Sequence, residues 1–218
     1  MNNPLILHIE TASPICSVSI ALGSNLIASK EAETVNIHAR MLAPMIQQLL
    51  AENNFSIKNL NAIAVSEGPG SYTGLRIGLS TAKGICYAAN LPLILINTLQ
   101  AMAAGMQATG NAKDDALFVP VLDARRNDVY WNIFDGSLNA LNKTDCNSID
   151  EIVQQIAEKK LNVVVAGTGA FKFEAFQSQL QIMHQNVIGS KHLLHLALAK
   201  FQAKEFADLA YSEPVYRT

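Results

Sequence analysis

LNAIAVSEGPGSYTGLRIGLSTAKGICY, residues Leu60–Tyr87, reads as a strand, a sharp elbow and a helix in one stretch. Asn61 to Ser66 are small and β-permissive enough for a buried strand. Gly68, Pro69 and Gly70 end it, because proline cannot extend a ladder and glycine takes backbone angles that other residues avoid. Ser71 or Thr73 is placed to cap a helix running to about Asn90. Gly74, Gly78 and Ala82 recur every four residues and strip one helix face of bulk. Each interior glycine costs about 1 kcal/mol relative to alanine, so Gly74, Gly78 and Gly84 together cost about 2–3 kcal/mol. Close packing of another backbone or a ligand is the natural offset. Leu75, Leu79, Ala82 and Cys86 form a second, apolar face, so the helix is expected to be covered from both sides.

The elbow is not a Walker loop. That motif needs four residues between its glycines and then Lys with Ser or Thr. Here Gly70 and Gly74 enclose three, and Leu75-Arg76 follows.

Outward from this stretch the chain shows a doubled plan. Leu5–Thr11, Ser17–Leu22 and Leu26–Glu33 read as strands, with turns at Ser13-Pro14 and Gly23-Ser24-Asn25. A helix follows from about Asn36 to Glu52, capped by Thr34 or Asn36, in which Pro44 should kink the helix or push its regular part downstream. Pro92–Asn97 is a further strand and Thr98–Met106 a short helix. The polar connection Thr109–Asp115 is the expected boundary between a half at 1–108 and a smaller half at 109–218. Phe118–Ala124, Val129–Phe134 and Leu138–Asp145 then read as strands. Ser148-Ile149-Asp150-Glu151 is a capping box opening a helix to about Lys160. Val163–Ala166 is a buried strand ending at Gly167-Thr168-Gly169, and Ser190 caps a last helix to about Phe206. Each half thus reads strand, strand, strand, helix, strand, helix. Each also ends its first strand on an acid, Glu10 and Asp123. This α/β arrangement is the duplicated actin-like (ASKHA, ribonuclease H-like) plan, in which the two hairpins face nucleotide phosphates.

Composition narrows the function classes. The 218 residues carry a net charge of −2, and half of them are hydrophobic. That describes a globular chain, with Arg125-Arg126 and Lys159-Lys160 as its basic doublets and no basic stripe for gripping nucleic acid unaided. The three cysteines, Cys16, Cys86 and Cys146, have no metal-site spacing and read as reduced thiols. MNNPLILHIE lacks the basic region of a signal peptide, and no apolar run has membrane-spanning length. The expectation is a cytoplasmic protein with no membrane contact.

ILHIETASPICSVSIA, SEGPGSYTGLRIGLSTAKGI, LPLILINTLQA and LDARRNDVYW together resemble the bacterial TsaB family, also called YeaZ. The resemblance covers the first 131 residues well, and GPGSYTGLRIG is its most specific block. Beyond Trp131 the landmarks are Gly167–Gly169 and the closing PVYR at Pro214–Arg217. Glu10 stands where the family usually has Asp. The resemblance implies a subunit with no catalysis of its own, partnered with a TsaD-type catalytic subunit. With a TsaE-type ATPase that pair makes threonylcarbamoyladenosine (t6A) in tRNA. It further implies tRNA contact only through the complex, and no cofactor beyond weak ATP or ADP binding at the complex interface. Older descriptions of the family as a glycoprotease follow from its kinship with TsaD-type proteins.

The residues argue against catalysis by this chain alone. His192 and His195 lack the Glu of a zincin helix, so packed-helix histidines are the plainer reading. Glu10 to Ser19 contains no glycine to let amides approach phosphate, and Glu10 and Asp123 read equally well as turn acids. The alternatives are a stand-alone ATP-binding phosphotransferase or hydrolase of the actin-like superfamily, or a glycoprotease-like peptidase. A binding role points to the two helices of the first half. His38, Met41, Leu42, Met45, Leu49, Ser71, Tyr72, Gly74, Leu75, Gly78 and Leu79 are the expected partner interface, because their apolar surface exceeds what one sheet face covers. Without the partner, the same patch should close a two-fold homodimer.

Overall fold

The computed structural model describes residues 3–33, 38–110, 115–157, 162–185 and 187–216. Its first strands are β1 (Leu5–Glu10), β2 (Ile15–Leu22) and β3 (Asn25–Glu33), followed by α1 (His38–Glu52). β4 (Ala62–Gly68), α2 (Tyr72–Ala89), β5 (Leu93–Asn97) and α3 (Thr98–Ala108) complete the first pass. The second contains β6 (Leu117–Asp123), β7 (Asp128–Trp131), β8 (Asp145–Ser148), α4 (Ile149–Ala157), β9 (Val163–Ala166) and β10 (Gln181–Met183), and α5 (Leu194–Ala203) closes the chain.

Two five-stranded sheets repeat one order, β3-β2-β1-β4-β5 and β8-β7-β6-β9-β10. In each, the first three strands form an antiparallel meander and the last two join parallel to the first. The doubled strand order read from the sequence is therefore present in both sheets, with β10 as a strand that the reading did not include.

The chain divides into one unit of Met1–Ala101 with Ile188–Tyr216 and a second containing Met102–Val187. This differs from a division at 1–108 and 109–218. The last segment returns to the first unit because Leu193 and Ala197 pack on Ile6, Ala62, Ala64 and Ile94, the sheet face that α1 and α2 leave open. The helix expected from Ser190 is a 3-10 helix, Ser190–Leu193, running into α5.

On the opposite face, Leu42, Met45, Ile46 and Leu49 of α1 and Leu79 of α2 join Leu7, Ile9, Val18, Ile63 and Val65 in one core. α1 runs through Pro44 instead of starting after it. Its expected caps, Thr34 and Asn36, lie outside the described residues. Ser71 caps α2, its Oγ accepting from the Gly74 amide at 3.2 Å. At α4 the Glu151 carboxylate accepts the Ser148 amide at 3.3 Å, one arm of the expected box. The third strand of the second pass is β8, not Leu138–Asp145. Residues 135–144 are held by side chains instead: Asp135 accepts the amides of Ser137 and Asn139, and Asn142 accepts that of Ile133.

Candidate functional site

The first site is the turn between β1 and β2 with the elbow that covers it. Alternation on β1 sends Leu5, Leu7 and Ile9 towards α1 and α2, and Ile6, His8 and Glu10 to the other face. Ser17 and Ser19 of β2 and Ser66 of β4 share that second face, and all are buried. The Ser17 and Ser190 hydroxyls lie 2.8 Å apart, and Ser17 Oγ also accepts the Ser190 amide, fixing the 3-10 helix over this polar row. His8 Nδ1 donates to the Ser19 carbonyl at 3.3 Å. The Nε2 of His8 and the hydroxyls of Thr11, Ser19 and Ser66 are buried without a hydrogen-bond partner among the described residues.

Glu10 is only 1% exposed. Its Oε1 accepts the Ala12 amide at 2.6 Å, two residues on within its own turn. Burial pushes its carboxyl up from 4.5 to about 7, opposed by the Ala12 bond and by Ser66 beside it, although Ser66 Oγ makes no formed hydrogen bond. The same burial holds His8 down at about 4, and pushes the Cys16 thiol up to about 11 with Glu10's charge adding to it. In its turn, Glu10 thus serves as an internal acceptor.

The elbow clamps that turn. The Ser71 amide donates to the Ala12 carbonyl at 2.7 Å, and His38 Nε2 donates to the Ser13 carbonyl at 3.0 Å. A Cβ at Gly74 would meet the Thr11 carbonyl at 2.0 Å, and one at Gly78 would meet Thr11 Oγ1 at 2.2 Å. The small face of α2 therefore seats the helix on the end of β1, correcting the reading in which Gly74 and Gly78 admit a partner helix. His38, Leu42, Met45, Leu49, Leu75 and Leu79 are buried in this chain as well. The two helices and the sheet absorb them, because the broad stripe of α1 and one face of α2 close on the same core. Of the expected interface, Met41, Ser71 and Tyr72 face outward.

What α2 presents outward is a different stripe: Tyr72, Arg76, Ser80, Gly84 and Tyr87. A Cβ at Gly84 would meet nothing within 4 Å. The closing segment lies along this helix. Val215 N donates to the Glu67 carbonyl at 2.7 Å, and Lys83 Nζ reaches the carbonyls of Ala210 and Ser212 at 3.2 and 3.0 Å. The rings of Tyr72 and Tyr216 stand 4.8 Å apart, and the Arg76 guanidinium lies 4.0 Å over Tyr72 while its Nε donates to Tyr216 Oη. Gly68, at φ +120°, is required here, since a Cβ would collide with the Val215 carbonyl at 2.4 Å. The sequence reading missed Arg76, Tyr216 and the strap they form. The signal was the aromatic and cationic spacing Tyr72-Arg76 at i, i+4, but its third member lies far along the chain.

The corresponding turn of the second unit is built differently. Asp123 is 45% exposed at its side chain and pairs at 2.5 Å with Lys172, whose side chain is 9% exposed and whose ammonium also donates to the Asp128 carbonyl. Lys172 holds the Asp123 carboxyl below its usual range. Thr168 Oγ1 accepts the Asp123 amide, which braces the turn from the Gly167–Gly169 loop. His192 and His195 fall in different helices, the 3-10 segment and α5, and burial holds His192 down at about 4. Among the described residues no group of three or more His, Cys, Asp or Glu is placed to hold a metal ion, and no helix is long and apolar enough to cross a membrane.

The family model described as "TsaD: tRNA N6-adenosine threonylcarbamoyltransferase" matches residues 27–216. The "tRNA threonylcarbamoyladenosine biosynthesis protein TsaB" of Escherichia coli (strain K12) is 30% identical over 97% of this chain and 93% of its own length. The chain belongs to the TsaB family. A solved structure from Pseudomonas aeruginosa, an "uncharacterized protein with similarity to peptidase YEAZ", shares the TsaB-type fold here. It superposes with a TM-score of 0.84 at 22% identity over 98% of this chain and 99% of that one. The activator of the 2-hydroxyisocaproyl-CoA dehydratase from Clostridium difficile, solved with bound ADPNP, superposes at 0.52 with 11% identity over 94% and 98%. The fold is thus the duplicated actin-like α/β fold expected from the strand order.

Proposed function

We propose that this TsaB-family chain serves t6A biosynthesis in tRNA as a scaffolding and activating subunit that supplies no catalytic group. It docks on a TsaD-type catalytic subunit, meets the TsaE-type ATPase and tRNA only within that complex, and pairs with a second copy of itself when alone. The supporting observation is the withdrawal of Glu10. The acid that would organise metal and water in an actin-like ATPase is 1% exposed and spent on its own turn. ATP or ADP binding by the isolated chain is accordingly weak, and any nucleotide site belongs to the complex interface.

Docking uses the outer faces of α1 and α2: Met41, Ser71, Tyr72, and the Arg76–Tyr216 strap beside them. Ser80 and Gly84 at the centre of the α2 stripe leave room for a partner helix, while Tyr72 and Tyr87 at its ends supply rigid aromatic area. The test is the double variant Met41→Glu/Tyr72→Glu. It should fold normally, run as a monomer in sedimentation, fail to capture the TsaD-type subunit and abolish t6A formation in the reconstituted system. A folded variant that still pairs retires this surface. Metal-dependent turnover by the isolated wild-type chain would retire the non-catalytic reading.

A further inference from the structure

Arg125 and Arg126, at the tip between β6 and β7, both take positive φ, 75° and 45°. Two consecutive non-glycine residues in that region carry a backbone cost that Gly or Asn would largely avoid. The turn is nevertheless held. Ala124 N donates to the Asp128 carbonyl, Asp128 N to the Arg125 carbonyl, and Arg125 N to Asp123 Oδ1, at 3.2, 3.0 and 3.1 Å. Both arginines are exposed, and neither guanidinium has a hydrogen bond or ion pair among the described residues. The acid at the base of the turn, Asp123, is already matched by Lys172. Phe171 lies on the same rim, 58% exposed, with the Lys172 ammonium 5.9 Å from its ring centre.

Resting on the reading of the chain as a tRNA-modification subunit, we infer that Arg125, Arg126 and Phe171 form an RNA-contact surface of the second unit. In it the arginines hold backbone phosphates of the tRNA and Phe171 stacks on an unpaired base. A mononucleotide phosphate is less favoured, because the amides of Asp123, Ala124, Arg125 and Asp128 are consumed within the unit and the tip offers those of Arg126 and Asn127 alone from this turn. Two exposed guanidiniums and an exposed ring linked through Lys172 to the same turn suit a polynucleotide, whose phosphates recur and whose loop bases are unstacked. The patch is small, in keeping with an auxiliary contact made once the partner is bound.

The test measures tRNA affinity of the reconstituted complex by fluorescence anisotropy across a salt series. Arg125→Asn/Arg126→Asn removes both charges while keeping a residue that tolerates the left-handed turn. It should weaken binding about ten-fold and flatten the salt slope by about 1.5–2, with partner capture unchanged. Arg125→Lys/Arg126→Lys should restore the slope, and Phe171→Ala should weaken binding without altering it. Unchanged affinity and slope in the Asn variant, with the wild-type complex binding tRNA, overturn the assignment. Loss of ATP binding by the isolated chain, with tRNA affinity intact, assigns the arginines to nucleotide and overturns it too. A wild-type complex that assembles without binding tRNA overturns this surface, whereas failure to assemble overturns the proposed function first and this surface with it.

Discussion

The turns that follow β1 and β6 occupy equivalent places in a duplicated plan, yet their acids live in opposite environments. Glu10 is covered by the 3-10 helix and the elbow, and its carboxyl is pushed up to about 7. Asp123 is open to solvent, paired with Lys172, and held below its usual range. One position in the topology thus yields an acid that disfavours its charge and an acid that keeps it. The cover decides between them: the first turn lies under Ser190 and against α2, while the second is braced on one side by Thr168 and ends in two exposed arginines.

The contrast breaks most visibly at the elbow. Gly74→Ala drives a Cβ into the Thr11 backbone carbonyl, which has no flexible side chain to give way. It should cost on the order of 3 kcal/mol or more, or prevent folding, by the usual scale of overpacking in a dense interior. The same change at Gly84, where nothing stands within 4 Å, should instead raise stability by about 1 kcal/mol. Paired urea titrations read both, and equal effects at the two glycines would mean that α2 is not seated on β1.

Glu10→Gln sharpens the comparison through pH. The folded chain binds the Glu10 proton more tightly than the unfolded chain, so this group's contribution to stability falls as pH rises from about 4.5 to about 7. His8 works in the opposite sense: its folded value of about 4 makes stability rise between about 4 and 6.5. Gln keeps an oxygen for the Ala12 amide and has no charge to bury. The variant should therefore be more stable than wild type above pH 7, by up to about 3 kcal/mol, and near parity at pH 4.5. Thermal melts across that range decide it, and parallel curves would show that Glu10 is not titrating in the fold.

Asp123→Asn should do little. The Asp123 charge contributes stability above its ordinary value of 3.8, lost only as pH falls through its lowered folded value. The carboxylate is 45% exposed, so solvent screening keeps the loss below about 1 kcal/mol at pH 7. A loss as large as that at the elbow would mean that the second turn is as enclosed as the first.

Local signals in the sequence carried the element order. The Gly68-Pro69-Gly70 break, the Ser71 cap and the Ser148–Glu151 box each act within a few residues, so the strand, elbow and helices they mark were legible without a fold. The strand reading also placed His8, Glu10, Ser17, Ser19 and Ser66 in strands, although their burial on a common face was not read from it. The third strand of the second pass was misplaced. Side-chain bonds from Asp135 and Asn142 hold residues 135–144 out of a ladder, and those bonds compete with strand pairing at a level that composition does not show.

The doubled strand order and the glycine elbow follow from the sequence by itself, because periodicity, breakers and caps act locally, and membership in the family follows from the sequence blocks that resemble it. Tertiary structure alone decided which faces are open. Met45, Leu49 and Leu79 look like a sticky surface until β1, β2 and β4 are brought beneath them. Gly74 and Gly78 look like room for a partner until Thr11 fills it, while Ser80 and Gly84 are the small residues left outside. Tyr216 meets Arg76 across 140 residues, and Lys172 reaches Asp123 from the 3-10 helix Ala170–Phe176. Burial and charge pairing are properties of distant segments meeting, and no window of the chain contains them.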